Sequence, residues 1–430
     1  MENFKPTRYK LRCIATGRVF EDDGWMLEDK QCGTPSLVRT EYEKQQIDIL
    51  DEKCGIYRFC DWLPLKRTLK GSAAPVTYKS SGLARKLDLD NLYITLNGYC
   101  PEKGAMMTTC SFKETEAYSV CGRMSEDMDR ILVVASAGNT ARAFAKVCSE
   151  NNIPLLLSVP EDNLEALWFE SQLNDCVKLI AVQKGADYFD AIHLSNVVLK
   201  SKRFIAEGGA KNVARRDGMG TTLLSAANVM GCIPEYYFQA VGSGTGAIAA
   251  WEAALRLEAD GRFGPNNLKL MVSQNAPFVP MFDAWRAGSR HMLSYEDHRA
   301  RRDAGIIDAK VLSNRRPPYG LAGGLFDVLT DSHGDFFVST NAALRKAARL
   351  FEECEGVDIH PASAVAVDSL IQAVKFGKLA KDAKIMLNIT GCGEQAYKKD
   401  KQIWKLNPSI VFPLSASEEE IISKTEALFA

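Results

Sequence analysis

The chain has 430 residues, 46% of them hydrophobic and 25% charged; that is more than one core usually serves, so two lobes with a smaller attachment are expected. Its 53 Lys and Arg against 54 Asp and Glu leave a net charge of −1, so no global field favours nucleic acid or a membrane surface. No apolar run is long enough to span a membrane, the polar start carries no secretory pattern, and the 12 dilute cysteines read as reduced thiols of a cytoplasmic protein.

Residues 1–75 read as an N-terminal attachment. Short strands at 9–14 and 18–20 flank Thr16-Gly17, and a polar helix is expected over 41–52. The aromatic stretch Gly55-Ile56-Tyr57-Arg58-Phe59 and Trp62-Leu63-Pro64 has the density of an arm packed onto a larger body. Cys13, Cys32, Cys54 and Cys60 are spaced too irregularly for a zinc site, so no metal is expected.

From residue 92 strands and helices alternate. Strands are expected at 92–96, 131–136, 153–159, 177–182 and 203–206, with helices at 140–150, 164–173 and 187–200. A second unit begins near 207, with helices at 220–229 and 247–258 and strands at 236–241 and 268–272. Residues 280–335 are irregular and rich in Arg, Gly and Pro. Helices at 341–353 and 362–376, a strand at 384–388 and a helix at 418–428 complete the chain. This βαβ rhythm predicts an α/β fold with parallel-rich sheets flanked by helices. The expected division is 1–75 for the attachment, 92–206 for the first lobe, and 76–91 with 207–430 for the second.

The stretch from Thr108 to Tyr118 carries the first candidate chemistry. Ser111 and Glu114 stand at capping-box spacing, which predicts a helix opening at Phe112. Lys113 then lies in the first turn, where free N–H groups and the helix dipole favour a neutral amine. A neutral lysine is the form that forms a Schiff base or abstracts a proton.

Three strand-to-helix turns offer ligand contacts. Gly242-Ser243-Gly244-Thr245-Gly246 can close successive N–H groups around an anion at a helix N-terminus. Its fit to a dinucleotide fingerprint fails for want of an acidic residue ending the next strand, and no lysine stands in P-loop position. Ser136-Ala137-Gly138-Asn139-Thr140 allows close approach of a carboxylate, with Asn139 offering donor and acceptor, although a plain capped turn reads equally well. Thr390, in Asn388-Ile389-Thr390-Gly391-Cys392-Gly393, sits at a strand's C-terminal edge, where α/β folds bind ligands.

This order of lysine, Gly-Asn turn, glycine-rich loop and late Thr-Gly resembles the two-lobed, tryptophan synthase β-like fold-type II pyridoxal-phosphate enzymes. Ser111-Phe112-Lys113 matches the Ser-Phe-Lys of their threonine synthase branch, with Glu114-Thr115 in place of the usual Asp-Arg. Gly55 to Pro64 looks like that branch's segment ahead of the core, and Cys13 and Cys32 like remnants of a zinc-ribbon-like part. Within the branch, residues 75–78, 110–118, 133–144, 207–220 and 237–251 look most like the cysteate synthases.

The resemblance implies pyridoxal 5'-phosphate as cofactor, held on Lys113, which would also take the substrate's α-proton. Asn139 would contact the cofactor's 3′-oxygen, Gly242, Ser243, Gly244, Thr245 and Gly246 its phosphate, and Thr390 its ring nitrogen. The backbone of Ser136, Ala137, Gly138 and Thr140 would hold the substrate carboxylate. It further implies a small anionic amino-acid substrate, O-phospho-L-serine, sulfite as nucleophile, L-cysteate as product and a homo-oligomer. Lys211, Arg215 and Arg216, and also Arg315-Arg316, are candidate partners for the anions. Threonine synthase chemistry on O-phosphohomoserine, another nucleophile, or a non-catalytic paralogue stay open at this point.

Overall fold

The computed structural model describes residues 4–136, 138–186, 188–315 and 317–430. Five parallel strands form one sheet in the order Phe204–Ala206, Ile131–Ala135, Leu155–Pro160, Val177–Val182 and Ile410–Phe412. Alternate residues go to opposite faces, as strand geometry requires. Leu132, Val134, Leu155, Leu157 and Leu179 pack with Ala117, Val120, Phe144 and Val147. Ile131, Val133, Leu156 and Ile180 pack with Leu194, Val198 and Ile421 on the other side. Helices Lys113–Arg123 and Asn139–Glu150 thus cover one face, and Tyr188–Val198 and Glu418–Ala427 the other.

A second sheet of six strands runs Asp335–Thr340, Lys269–Ala276, Tyr236–Ala240, Lys384–Ile389, Asn91–Leu96 and Val76–Lys79. All pairs are parallel except the last, an antiparallel edge. Asn341–Glu355 and Pro361–Lys375 cover one face through Leu344, Phe351, Val365 and Leu370. Val213–Met230, Thr245–Asp260 and Leu325–Asp331 cover the other through Leu223, Ala250 and Leu329. Both faces are covered, so the centres of the inner strands, such as Leu270-Met271-Val272 and Ile385-Met386-Leu387, read as continuous apolar runs.

Helix Lys113–Arg123 also lies against Val213–Met230, which joins the two lobes. A Cβ on Gly218 would stand 2.5 Å from the Thr115 carbonyl oxygen and 2.8 Å from Ser119 Cβ. Only a glycine permits so close an approach.

Several expectations are corrected. The strand expected at 92–96 does not join the first lobe; Asn91–Leu96 pairs in register with Lys384–Ile389 in the six-stranded sheet. Conversely, Ile410–Phe412 and Glu418–Ala427 return to the five-stranded sheet from the far end of the chain. A βαβ rhythm says that strands are parallel but not which sheet each joins. No helix forms over 41–52; Val38–Tyr42 is instead a strand paired with Tyr9–Cys13, and Ile47 is buried. The helix expected at 164–173 is a 3₁₀ segment, Glu161–Ala166, followed by the short strand Trp168–Phe169. The aromatic arm sends Phe59 and Trp62 into one core and Ile56 and Tyr57 into the other, so the attachment ties both lobes.

Candidate active site

Strands Tyr236–Ala240 and Lys384–Ile389 are adjacent and parallel, with Phe238 opposite Leu387. The strands lie about 4.8 Å apart, so the turns that leave them, carrying Gly242 to Gly246 and Thr390 to Gly393, emerge side by side at the sheet's C-terminal edge. The lysine stretch is sewn to the second turn. Phe112 N–H donates to the Thr390 carbonyl at 2.9 Å, Cys392 N–H donates to the Cys110 carbonyl at 3.2 Å, and Ser111 bridges Gly391 antiparallel. Lys113, the first residue of its helix, rises directly from this seam.

The Ser136–Thr140 turn reaches the same place from the other sheet. A Cβ on Gly138 would lie 3.9 Å from Val311 Cγ1, and one on Gly242 would lie 2.8 Å from the Val311 carbonyl oxygen. Both turns thus lie against one residue, Val311, which brings the Gly138 turn and the glycine-rich loop together. Ala137 lies outside the described residues.

The expected capping box does not form. Glu114 reaches past Ser111 and accepts from Thr109 N–H at 3.0 Å and from Thr109 Oγ1 at 2.8 Å. Ser111 Oγ is buried with no hydrogen-bond partner. Pairing of Ser111 with Gly391 holds its backbone extended at the seam, so its side chain is not aimed at the helix.

Lys113 is one-fifth exposed, and Nζ lies 3.0 Å from Glu116 Oε2. The other oxygen of Glu116 is 3.3 Å from Arg215 Nη1, and Arg215 is gripped by Glu207 at 2.6 and 2.8 Å. Burial pushes the Lys113 amine below its ordinary pKa; Glu116 opposes this and Arg215 adds to it. The net direction favours the neutral amine.

In the glycine-rich loop, Gly244 has φ +80° and caps helix Thr245–Asp260 without a side-chain bond. The helix's first N–H groups have no intrahelical acceptor and point out of it. Ser243 Oγ and Thr245 Oγ1 stand 2.8 Å apart at the same mouth. A Cβ on Gly246 would run into the Gln239 amide. Gln239 belongs to a buried polar group with Tyr237, Asn388 and Asn97 that underpins the loop, with Asn388 Nδ2 donating to Tyr237 at 2.7 Å and Asn97 Nδ2 to Asn388 Oδ1 at 2.8 Å. Thr390 Oγ1 is 3.5 Å from Ser363 Oγ, and Ser363 in turn clasps Gly391, accepting from its N–H at 3.0 Å and donating to its carbonyl at 2.9 Å.

Arg142 is a site residue that sequence reasoning did not single out. Its guanidinium donates to the Thr109 carbonyl at 2.9 Å, to the Ala166 carbonyl at 2.9 Å and to Asn139 Oδ1 at 2.9 Å, and it stacks over Trp168. It therefore orients Asn139 against the lysine stretch. It also lies 3.6 Å from Glu394, which His360 Nε2 approaches at 3.0 Å. The signal was local: an arginine three residues after Asn139 on the same helix face.

The basic candidates fare differently. Arg216 is fully buried, bound to Glu252 at 2.9 Å and to the carbonyls of Ala210 and Val38, so it cannot meet a substrate. Lys211 is half-exposed and paired with Glu28 of the N-terminal attachment. Arg315 lies 3.2 Å from Asp297, and Arg316 is outside the described residues. Of these, Arg215 alone is linked to Lys113, and it is held between two carboxylates. Charge runs do not reveal which arginines carry a buried partner; only packing does.

The donor set fits a phosphorylated aldehyde such as pyridoxal phosphate: an amine, helix-start N–H groups with two hydroxyls, and the Thr390 hydroxyl, which has only a long contact. Residues 77–391 match the family model described as pyridoxal-phosphate dependent enzyme. The chain is 44% identical to a cysteate synthase of Methanosarcina acetivorans over 94% of its own length and 96% of that protein. It is 45% identical to one of Methanocella paludicola over 94% and 91%. Among solved structures it is similar to maize serine racemase, with TM-score 0.57, 14% identity and 74% and 87% of the two chains covered. Serine racemase from Dictyostelium discoideum gives TM-score 0.54, 17% identity and coverage of 74% and 92%. At those identities the likeness is one of fold.

Proposed function

The chain belongs to the pyridoxal-phosphate dependent enzymes and, among them, to the cysteate synthase family, and from that premise we propose that it converts O-phospho-L-serine and sulfite into L-cysteate and phosphate. In this β-replacement the Cβ–O bond to phosphate breaks and a Cβ–S bond to sulfite forms. The reading is carried by a likeness that runs the length of both chains, well beyond the cofactor motifs that a threonine synthase would share.

When bound, pyridoxal phosphate supplies the electron sink for loss of the α-proton and the β-leaving group. The chain's residues then have distinct tasks. Lys113 holds the cofactor and takes the α-proton at Nζ. The N–H groups of Gly242 to Gly246, with the Ser243 and Thr245 hydroxyls, hold the cofactor phosphate. Thr390 would offer the ring nitrogen a neutral hydroxyl, and Asn139, oriented by Arg142, would face the ring oxygen. The Ser136–Thr140 turn holds the substrate carboxylate. The seam between Phe112 and Thr390 keeps the proton-transferring amine in register with the ring site, as proximity catalysis demands. Its free thiols suit a reducing compartment, which agrees with work in the cytoplasm.

Purified protein given O-phospho-L-serine and sulfite is expected to release phosphate and yield L-cysteate. Phosphate release from O-phosphohomoserine alone would overturn this in favour of a threonine synthase reaction.

A further inference from the structure

The geometry points to Glu116 as the residue that positions Lys113 Nζ and, with Arg215 set against it, governs how readily that amine gains and loses its proton; the inference rests on the function proposed above. Glu116 follows Lys113 by three residues, which places both side chains on one face of the helix. Its carboxylate is buried, and its two oxygens face different cations: Lys113 at 3.0 Å and Arg215 at 3.3 Å. Arg215 arrives from helix Val213–Met230, which Gly218 allows to pack against the lysine helix. Glu207 pins Arg215 at 2.6 Å and accepts from Gly209 N–H at 2.9 Å, so the row Lys113, Glu116, Arg215, Glu207 alternates in charge and is fixed at both ends.

Other charges nearby are committed elsewhere. From helix Asn139–Glu150, Arg142 serves Thr109 and Asn139, and Lys146 serves Glu150 and Tyr118. From the Thr390 side, His360 and Lys398 pair with Glu394. Glu116, Arg215 and Glu207 are the charges that act most strongly on Nζ. A base that takes an α-proton must accept it and later release it. The carboxylate draws the proton on; the guanidinium behind it weakens that pull. Glu116 is therefore a positioning residue whose effect passes through Lys113.

The test titrates Lys113 itself. In full-length protein stripped of cofactor, labelling of Lys113 by acetic anhydride is followed against pH by mass spectrometry. Glu116→Gln removes a negative neighbour and is expected to lower the labelling midpoint by about 1 pH unit; Arg215→Gln removes a positive one and is expected to raise it. Glu116→Asp keeps the charge and is expected to stay near the wild-type midpoint while slowing turnover, because its carboxylate is drawn back from Nζ. In the holoenzyme the acid limb of the rate profile moves in the same opposite senses. Midpoints that are unmoved, or that shift the same way in both glutamine variants, overturn the inference. If Glu116→Gln does not fold, Arg215→Gln and Glu116→Asp decide it, since a rise in the first with none in the second is still required. Lys113→Ala separates the two claims: borohydride-fixed cofactor persisting in that variant overturns the function's lysine assignment instead.

Discussion

Phe112 donates its backbone N–H to the carbonyl of Thr390 at 2.9 Å, across a sequence separation of most of the molecule. The residue before the lysine is thereby fastened to the residue that follows a central strand. A hydrogen bond of this kind contributes only about 1 kcal/mol to stability. Its larger consequence is geometric: an amine and a hydroxyl on different elements share one rigid seam. Movement of the lysine helix relative to the six-stranded sheet would have to break it.

Lys113→Ala is expected to abolish covalent retention of the cofactor and to slow phosphate release from O-phospho-L-serine by at least about 10²-fold. Borohydride reduction followed by peptide mass spectrometry reads the first effect. Retention of the reduced cofactor at another lysine would refute the assignment.

Gly242→Ala is expected to weaken cofactor binding. Its Cβ would press on the Val311 carbonyl at 2.8 Å, and overpacking of this sort costs about 1–3 kcal/mol, or roughly 5- to 150-fold in affinity. Fluorescence titration with pyridoxal phosphate measures this. An unchanged affinity would mean that the loop opens freely.

Gly218→Ala tests the packing that joins the lobes. With the Thr115 carbonyl 2.5 Å from the new Cβ, a loss of about 1–3 kcal/mol is expected in urea denaturation. Turnover should fall beyond what unfolding explains, because the lysine helix is the element displaced. Wild-type stability would show that the helices have slack.

Arg216→Met separates packing from substrate binding. Removing Arg216 leaves Glu252 buried without its 2.9 Å partner, with Arg39 at 3.6 Å, so the expected destabilisation is about 3–5 kcal/mol, with KM for O-phospho-L-serine unchanged. A raised KM with native stability would restore Arg216 to the substrate site. The pH dependence has a definite sign. Burial raises the Glu252 pKa, but Arg216 and Arg39 outweigh it and hold the carboxyl below the ordinary glutamate range. Its contribution is therefore present in full above that range and is lost as pH falls through the lowered value. In Arg216→Met that acid-limb loss should shrink in stability curves taken below about pH 5.

Glycine spacing, strand-to-helix order and the isolated lysine were legible because they are local: each depends on backbone freedom or periodicity within a few residues. A parallel α/β fold of two lobes could thus be named from the chain alone, and Gly242 to Gly246, Asn139, Lys113 and Thr390 could be proposed from it as a site. Sheet membership was not legible. Asn91–Leu96 and Ile410–Phe412 each cross to the other lobe's sheet, a choice made by long-range register. Nor was the fate of charge: Arg215 and Arg216 are neighbours in sequence, yet a helix turns one toward Lys113's carboxylate partner and buries the other against Glu252. The capping box failed for the same reason, since pairing of Ser111 with Gly391 outweighed a local cap. The sequence by itself determined which chemical groups are present and the turns that expose them. Tertiary structure decided which of those groups meet, because partners for buried charge come from other elements packed alongside and edges for strands from parts of the chain hundreds of residues away.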